Sequence, residues 1–383
     1  MAIGARLAQG PDRGRMRRMR RWHHLPLLRG VFRRRRLSSI GSNEKEQVAG
    51  VFRRRIARPD FGSRLALLTQ EQGVLLIAAA LSLFFFVSQP GFASWGNVMA
   101  LLRSVSVLGL LSLGMAVVII GRGIDLSQIA IALVSTGITI RLVLSGAGLP
   151  ISIFVGFMSA IALGLVNSAI VTFLKIPALF ATLATGFLFV GVARSTILTS
   201  MITNLPTDNV ALMSLGQNWL GVPAPLIIMM SSAICLHGFL SWTTVGRFIY
   251  AHGDNPDTAM VTGLPVRLLT IVEYCLSAGI CYIAGLVMSA STGAVDLRAA
   301  GSTLIFDVVL VAVLGGVSLA GGRGSVRSVV AGTLLIGVLL NGMTIMDLDY
   351  QIQNIIKGVV LLAAIILDNL LHPRDEETAR QGD

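Results

Sequence analysis

Residues 98–120 read Val-Met-Ala-Leu-Leu-Arg-Ser-Val-Ser-Val-Leu-Gly-Leu-Leu-Ser-Leu-Gly-Met-Ala-Val-Val-Ile-Ile, 23 residues whose single charge, Arg103, lies near the first end. A helix crossing a bilayer needs about 20 mainly apolar residues. A helix apolar on every side must be buried in protein or in lipid. Runs of this kind recur on both sides of it, at 73–89, 124–144, 149–173, 178–199, 222–242, 268–290, 303–320, 325–345 and 352–371. The pattern predicts an all-α, polytopic membrane bundle of about ten helices, eight at the least. Asp125 and Arg141 bracket the third run, which reads as a complete span or as a broken, re-entrant one.

Composition agrees. The 383 residues are 54% hydrophobic and 13% charged, whereas soluble domains carry about 25% charged residues. The net charge of +12 belongs to one end: residues 1–60 hold 17 Lys+Arg against 4 Asp+Glu, and the rest hold 14 against 15. Three regions follow: a basic tail (1–70), a transmembrane domain (71–372) and a short C-terminal tail (373–383). The tail reads as an unfolded extension that fixes topology, or as a surface for anionic lipid or nucleic acid. The first of these is adopted, and no nucleic acid is expected. No apolar core with a cleavage site follows the early charges, so no secretory leader is expected.

Lys and Arg concentrate on cytoplasmic connections. Alternating the spans from a cytoplasmic tail places Arg122, Lys175, Arg247, Arg267, Arg323 and Arg327 inside, and mainly Asp208, Asp296, Asp347 and Asp349 outside, with Arg298 as the exception. Both termini are then cytoplasmic. Many of the 41 glycines fall inside the spans. There they let helices approach closely, and Gly279, Gly285, Gly332 and Gly337 read as packing positions. Cys235, Cys275 and Cys281 form no CxxC pair, the histidines form no HExxH, and the cysteines read as small core residues.

Three stretches outside the plain apolar runs carry information. The first, 243–267, contains Asn255 as a helix N-cap, Pro256 at the first helical position and Asp257 at the positive end. Gly263 and Pro265 stop it. The pattern predicts a capped helix of about two turns near 254–263, either a rigid peg for a partner or an ordinary ordered loop. The second, Gly315 to Ser325, is rich in glycine but lacks GxxxxGK[ST], so ATP binding by this chain is excluded. It breaks a helix instead. The third, Gly121-Arg-Gly-Ile-Asp-Leu-Ser127, offers Asp125 as a site carboxylate or as an N-cap. Charged residues within spans are functional candidates. Asp307 is expected toward the outer end of its helix, and Glu273 and Lys357 near the inner surface, reaching the headgroups. No enzyme constellation or metal-ligand spacing stands out, so neither catalysis nor a bound cofactor is expected.

Taken together, residues 73–371 resemble the permease subunits of sugar-importing ABC transporters of the ribose, xylose and arabinose type. The resemblance rests on Gly-Ile-Asp-Leu-Ser at 123–127, Gly-Arg-Phe-Ile-Tyr-Ala at 246–251 and Asn255. It also rests on Leu-Gly-Gly-Val-Ser-Leu-Ala-Gly-Gly-Arg-Gly-Ser at 314–325, Asn341-Gly342 and Ile-Ile-Lys-Gly-Val-Val-Leu-Leu-Ala at 355–363. The family positions are Gly123, Asp125, Ser127, Asp307, Gly315, Gly316, Gly321, Gly322, Gly324 and Asn341. The sequence departs from the pattern at Gln128-Ile129, His252, Asp254 and Ile305. The resemblance implies a multi-pass bacterial inner-membrane protein that imports a monosaccharide or sugar-like solute. It implies a second permease copy, a periplasmic sugar-binding protein and a cytoplasmic ATPase that uses ATP and Mg. The ATPase would meet Gly246, Arg247, Gly253, Asp254, Asn255, Pro256, Asp257, Ala259 and Gly263. A neutral solute needs hydrogen-bonding groups, and Asn167, Thr182, Thr185 and Ser195 are candidates. The competing class is a secondary transporter driven by an ion gradient.

Overall fold

The computed structural model describes residues 70–371, with side chains from 71 to 366. The basic tail and the C-terminal tail lie outside the described residues. In chain order the helices are α1 (Gln70–Ser88), α2 (Trp95–Ile120), α3 (Gln128–Leu144), α4 (Leu149–Phe173) and α5 (Ala178–Thr196). Then come α6 (Val210–Ser214), α7 (Ala224–Trp242), α8 (Thr244–Asp254), α9 (Pro256–Val261) and α10 (Val266–Thr292). The last three are α11 (Leu304–Leu314), α12 (Val326–Ile345) and α13 (Tyr350–Leu371).

The run quoted first forms the middle of the bundle. Ser94 caps α2 by accepting from the Asn97 amide, and Val105 to Ile120 are buried almost without interruption. Helices α3, α7, α10, α11 and α12 all pack on it or on each other, while α1 rests on α12 and α13 chiefly on α11. Small residues set these distances. A side chain at Gly332 would run into the Val311 carbonyl at 2.5 Å, so α12 touches α11 backbone to backbone.

Seven helices are long and apolar enough to cross a membrane; α3, α11 and residues 350–366 of α13 are shorter apolar helices. Each of the ten sequence runs overlaps one of these helices. The doubtful third run is an unbroken 17-residue helix, buried over most of its length. Its start is shifted to Gln128, because 121–127 is a folded turn. The run at 303–320 yields only Leu304–Leu314, since Gly316 at φ +90° turns the chain out of the helix. Exposed apolar side chains such as Phe154, Phe187 and Leu362 face outward, as lipid contact requires. Cys281 is buried as expected, but Cys235 is exposed.

One end of the bundle is closed by short strands that the sequence did not suggest. β1 (Ile202–Asn204) pairs antiparallel with β4 (Ala294–Asp296), Ile202 opposite Asp296. β2 (Asn218–Trp219) pairs with β3 (Val222–Pro223) in a hairpin. The connections 121–127, 243–265 and 315–325 gather at the other end.

Candidate functional site

The segment 243–265 is more elaborate than one capped helix. The Thr243 hydroxyl accepts from the Gly246 amide at 3.0 Å and starts α8. Asn255 ends α8 and starts α9, its side-chain oxygen accepting from the Thr258 amide at 2.9 Å. Gly263, at φ +85°, turns the chain away, and the Leu264 amide closes the turn on the Ala259 carbonyl at 3.0 Å. The stop and start signals read from the sequence are thus realised, but α9 is Pro256–Val261 and Asp254 belongs to α8. Sequence reasoning missed α8, although the Thr243 cap and the spacing of Val245, Phe248, Ile249 and His252 fit an amphipathic helix.

Gly246, Gly253 and Ala259 are buried, while Arg247, Asp254, Asn255 and Asp257 are exposed. On α9, Met260 is 62% and Val261 88% exposed. An apolar tip flanked by polar residues is carried on a base whose Gly246 and Gly253 pack against backbone.

That base is a junction of all three informative stretches. The Gly322 amide donates to the Ile120 carbonyl at 2.8 Å, and the Tyr250 hydroxyl donates to the Gly324 carbonyl at 2.9 Å. Gly253 lies against both Ile120 and Gly322, and Gly321 against Gly253 and Arg122. Helix α8, the end of α2 and the glycine turn therefore touch through backbone. Gly315 packs separately on the Ser328 carbonyl of α12. His252 is buried here; burial and the neighbouring Arg122 charge hold its pKa below the ordinary value. Glu273 does not reach the headgroups as expected: it is 1% exposed, with its carboxyl wedged against Gly121. Its position on α10 faces the bundle interior.

The 123–127 turn is held by a chain of side chains. The Ser127 hydroxyl and amide both donate to Asp125 Oδ1, at 2.6 and 3.0 Å. Asn167 Nδ2 donates to Ser127 Oγ, and the Thr185 hydroxyl donates to Asn167 Oδ1, each at 2.6 Å. Thr182 Oγ1 accepts from the Leu126 amide at 3.0 Å and donates to the Ile124 carbonyl at 3.1 Å. Asn167, Thr182 and Thr185 are thus brought together around the turn, all buried, whereas Ser195 is exposed and bonds its own helix at Val192. Asp125 is not the N-cap of α3; that position is Ser127. Gly123 fits below Tyr274 and Val118.

Burial pushes the Asp125 pKa from 3.8 up to about 6, against the lowering effect of its Ser127 bonds. Between these values the folded chain binds more protons than the unfolded one. The contribution of this group to stability is therefore fully present below pH 3.8 and is lost as pH rises through about 6, a total on the order of 3 kcal/mol. Asp125→Asn should flatten that part of the profile, read as thermal stability in detergent from pH 4 to 7.

The remaining family positions lie elsewhere. Asn341 and Asn97 exchange amide hydrogen bonds of 3.0 and 2.8 Å at the strand-covered end. Asp307 accepts from Lys357 at 3.1 Å, a buried pair linking α11 to α13. The expectation that Lys357 reaches headgroups is corrected by this partner. Also at the strand-covered end, a cavity of about 580 Å³ opens between α2, α10, α11 and α12. Its polar lining includes Arg103, Ser104, Ser291, Thr292, Asn341 and Thr344. Among the described residues no three His, Cys, Asp or Glu side chains gather as a metal set would.

With this geometry established, comparison with known proteins is direct. A family described as "Branched-chain amino acid transport system / permease component" matches residues 97–365. A ribose import permease protein of Bacillus subtilis (strain 168) is 32% identical over 300 residues, covering 78% of this chain and 92% of that protein. An L-arabinose transport system permease protein of Escherichia coli (strain K12) is 34% identical over 303 residues, covering 78% and 90%. A ribose import permease protein from the same Escherichia coli strain is 30% identical over 306 residues, covering 78% and 94%.

Proposed function

We propose that this chain, which belongs to the permease-component family just described, is the membrane-spanning subunit of an ABC importer for a monosaccharide or sugar-like solute. The ribose and arabinose permeases support the solute class. One observation carries the mechanism: an exposed α8–α9 unit seated by backbone contact on α2 and the glycine turn. A separate ATPase, using ATP and Mg, docks there. Its movement displaces α8 and α9 as one body, and the bundle alternates between outward and inward states.

In this reading the ten apolar segments thread the inner membrane, with α11, at 11 residues, covering only part of its thickness as a helix. The end bearing Arg122, Arg247, Arg323 and Arg327 is cytoplasmic, with both termini, as the positive-inside rule favours. A second copy of the chain completes the path, and a periplasmic binding protein delivers solute to the strand-covered end. The hydroxyl and amide groups of the 580 Å³ cavity suit a neutral polar solute. Asn167, Thr182 and Thr185 act indirectly, by holding the 123–127 turn.

Replacing Asn255-Pro256-Asp257 by Gly-Gly-Gly removes the cap and the first turn of α9. Uptake into vesicles carrying the ATPase is expected to fall about tenfold, matching the ~1.5 kcal/mol that three added glycines cost through backbone freedom, with membrane insertion unchanged. Native uptake by that variant would remove α9 from the coupling role.

A further inference from the structure

A groove of about 430 Å³ runs between α1, α7 and α12, and nothing described so far uses it. Its walls are apolar: Leu75, Met230, Ile234 and Leu334 line it, all between 39% and 68% exposed. Its mouth is polar. Arg327 stands in the first turn of α12 and Trp242 ends α7, immediately before the Thr243 cap of α8. Both residues are exposed, and among the described residues Arg327 takes part in no ion pair. His237 and Glu71 share this lining, and one Glu71 oxygen accepts from the Ser325 hydroxyl at 2.6 Å.

The order of these groups matches one side of a bilayer. Tryptophan and arginine favour the headgroup level. From Arg327 to Leu334 the helix descends about 10 Å, well inside a hydrocarbon layer about 30 Å thick. A basic group at the mouth of an apolar seam between transmembrane helices attracts anionic headgroups. A soluble peptide would have no reason to match an apolar groove that begins at this depth.

We propose that this groove seats one phospholipid with an anionic headgroup, its phosphate against Arg327 and one acyl chain along Leu75, Ile234 and Leu334. The lipid fills the seam beside α1, which packs mainly on α12. It braces the foot of α8 through Trp242. The inference needs only that the chain spans a membrane; it does not depend on the identity of the solute.

The full chain is reconstituted into bilayers of equal parts phosphatidylglycerol and phosphatidylcholine, released in mild detergent and weighed intact. One retained phosphatidylglycerol is expected, favoured over phosphatidylcholine about fivefold, the contribution of one basic residue. Arg327→Gln should erase the preference and Arg327→Lys should keep it. Ile234→Trp, which fills the groove, should lower retention of both lipids. The Arg-rich residues before 70 contribute equally to every variant, so the differences report on the groove. Equal retention of the two lipids by the native chain, or an unchanged preference in Arg327→Gln, overturns the proposal. So does occupation of the groove by another copy of the chain, which would appear as cross-linking through Ile234→Cys in a Cys235→Ser background.

Discussion

Lys357→Met is expected to destabilise the protein by about 3–5 kcal/mol, because it leaves Asp307 as a buried charge with no partner. The ammonium lies 3.1 Å from the carboxylate, and both side chains are only 10% exposed. The Thr303 hydroxyl stands 3.4 Å from the same nitrogen and shares a 2.9 Å hydrogen bond with the Tyr350 hydroxyl. With Asn354, whose Oδ1 lies 3.4 Å from the Thr303 hydroxyl, these groups form a polar contact between α11 and α13. Because α13 packs chiefly on α11, losing the pair loosens a whole helix. The double variant Asp307→Leu with Lys357→Met should recover most of the loss, since exchanging a buried pair for apolar residues is close to neutral. Thermal unfolding in detergent measures both. A single variant as stable as the double would show that the pair is not what holds α13.

Gly253→Val should abolish uptake. A Cβ at this position would fall within 2.6 Å of the Gly322 amide nitrogen and would press on the Ile120 carbonyl. Neither obstacle is a flexible side-chain end; both are backbone, joined to each other by a 2.8 Å hydrogen bond. The valine can be housed only by lifting α8 off the junction. Overpacking of this kind costs about 1–3 kcal/mol, small enough for the bundle to stay folded. Uptake in vesicles with the partner ATPase, normalised to the amount inserted, is the measurement. An inserted Gly253→Val chain transporting at the native rate would show that the three segments need not touch.

The helices were legible because a bilayer imposes length and composition together, so runs such as 98–120 declare themselves. Their ends were less so. Val317, Leu319 and Ala320 continue the apolar character beyond Leu314, and only the left-handed turn at Gly316 ends the helix. Helix α8 was hidden because glycine is a poor helix former, yet Gly246 and Gly253 lie within it and serve as places of close approach. The β1–β4 pairing joins three-residue segments some 90 positions apart, too short to carry an alternating pattern. The N-cap at Asn255 was fully readable, since a cap is local chemistry. The meeting of 120–124, 250–254 and 321–324 was not, because nothing local in any one stretch points to the others. Polar residues within spans were the hardest. Asn167, Thr182 and Thr185 have the chemistry of a solute lining, yet Asn167 and Thr182 bond the Asp125 turn and Thr185 bonds Asn167.

Helix α2 runs without a break from Trp95 to Ile120. Its last residue is fastened to the glycine turn, and Ser104 stands on the rim of the large cavity at the far end. The two points are about 24 Å apart along the axis, with no joint between them. The helix is therefore a connecting rod. In the proposed mechanism a tilt applied at one end is expected to reach the other as a tilt, so that the cavity wall would move together with α8 and α9.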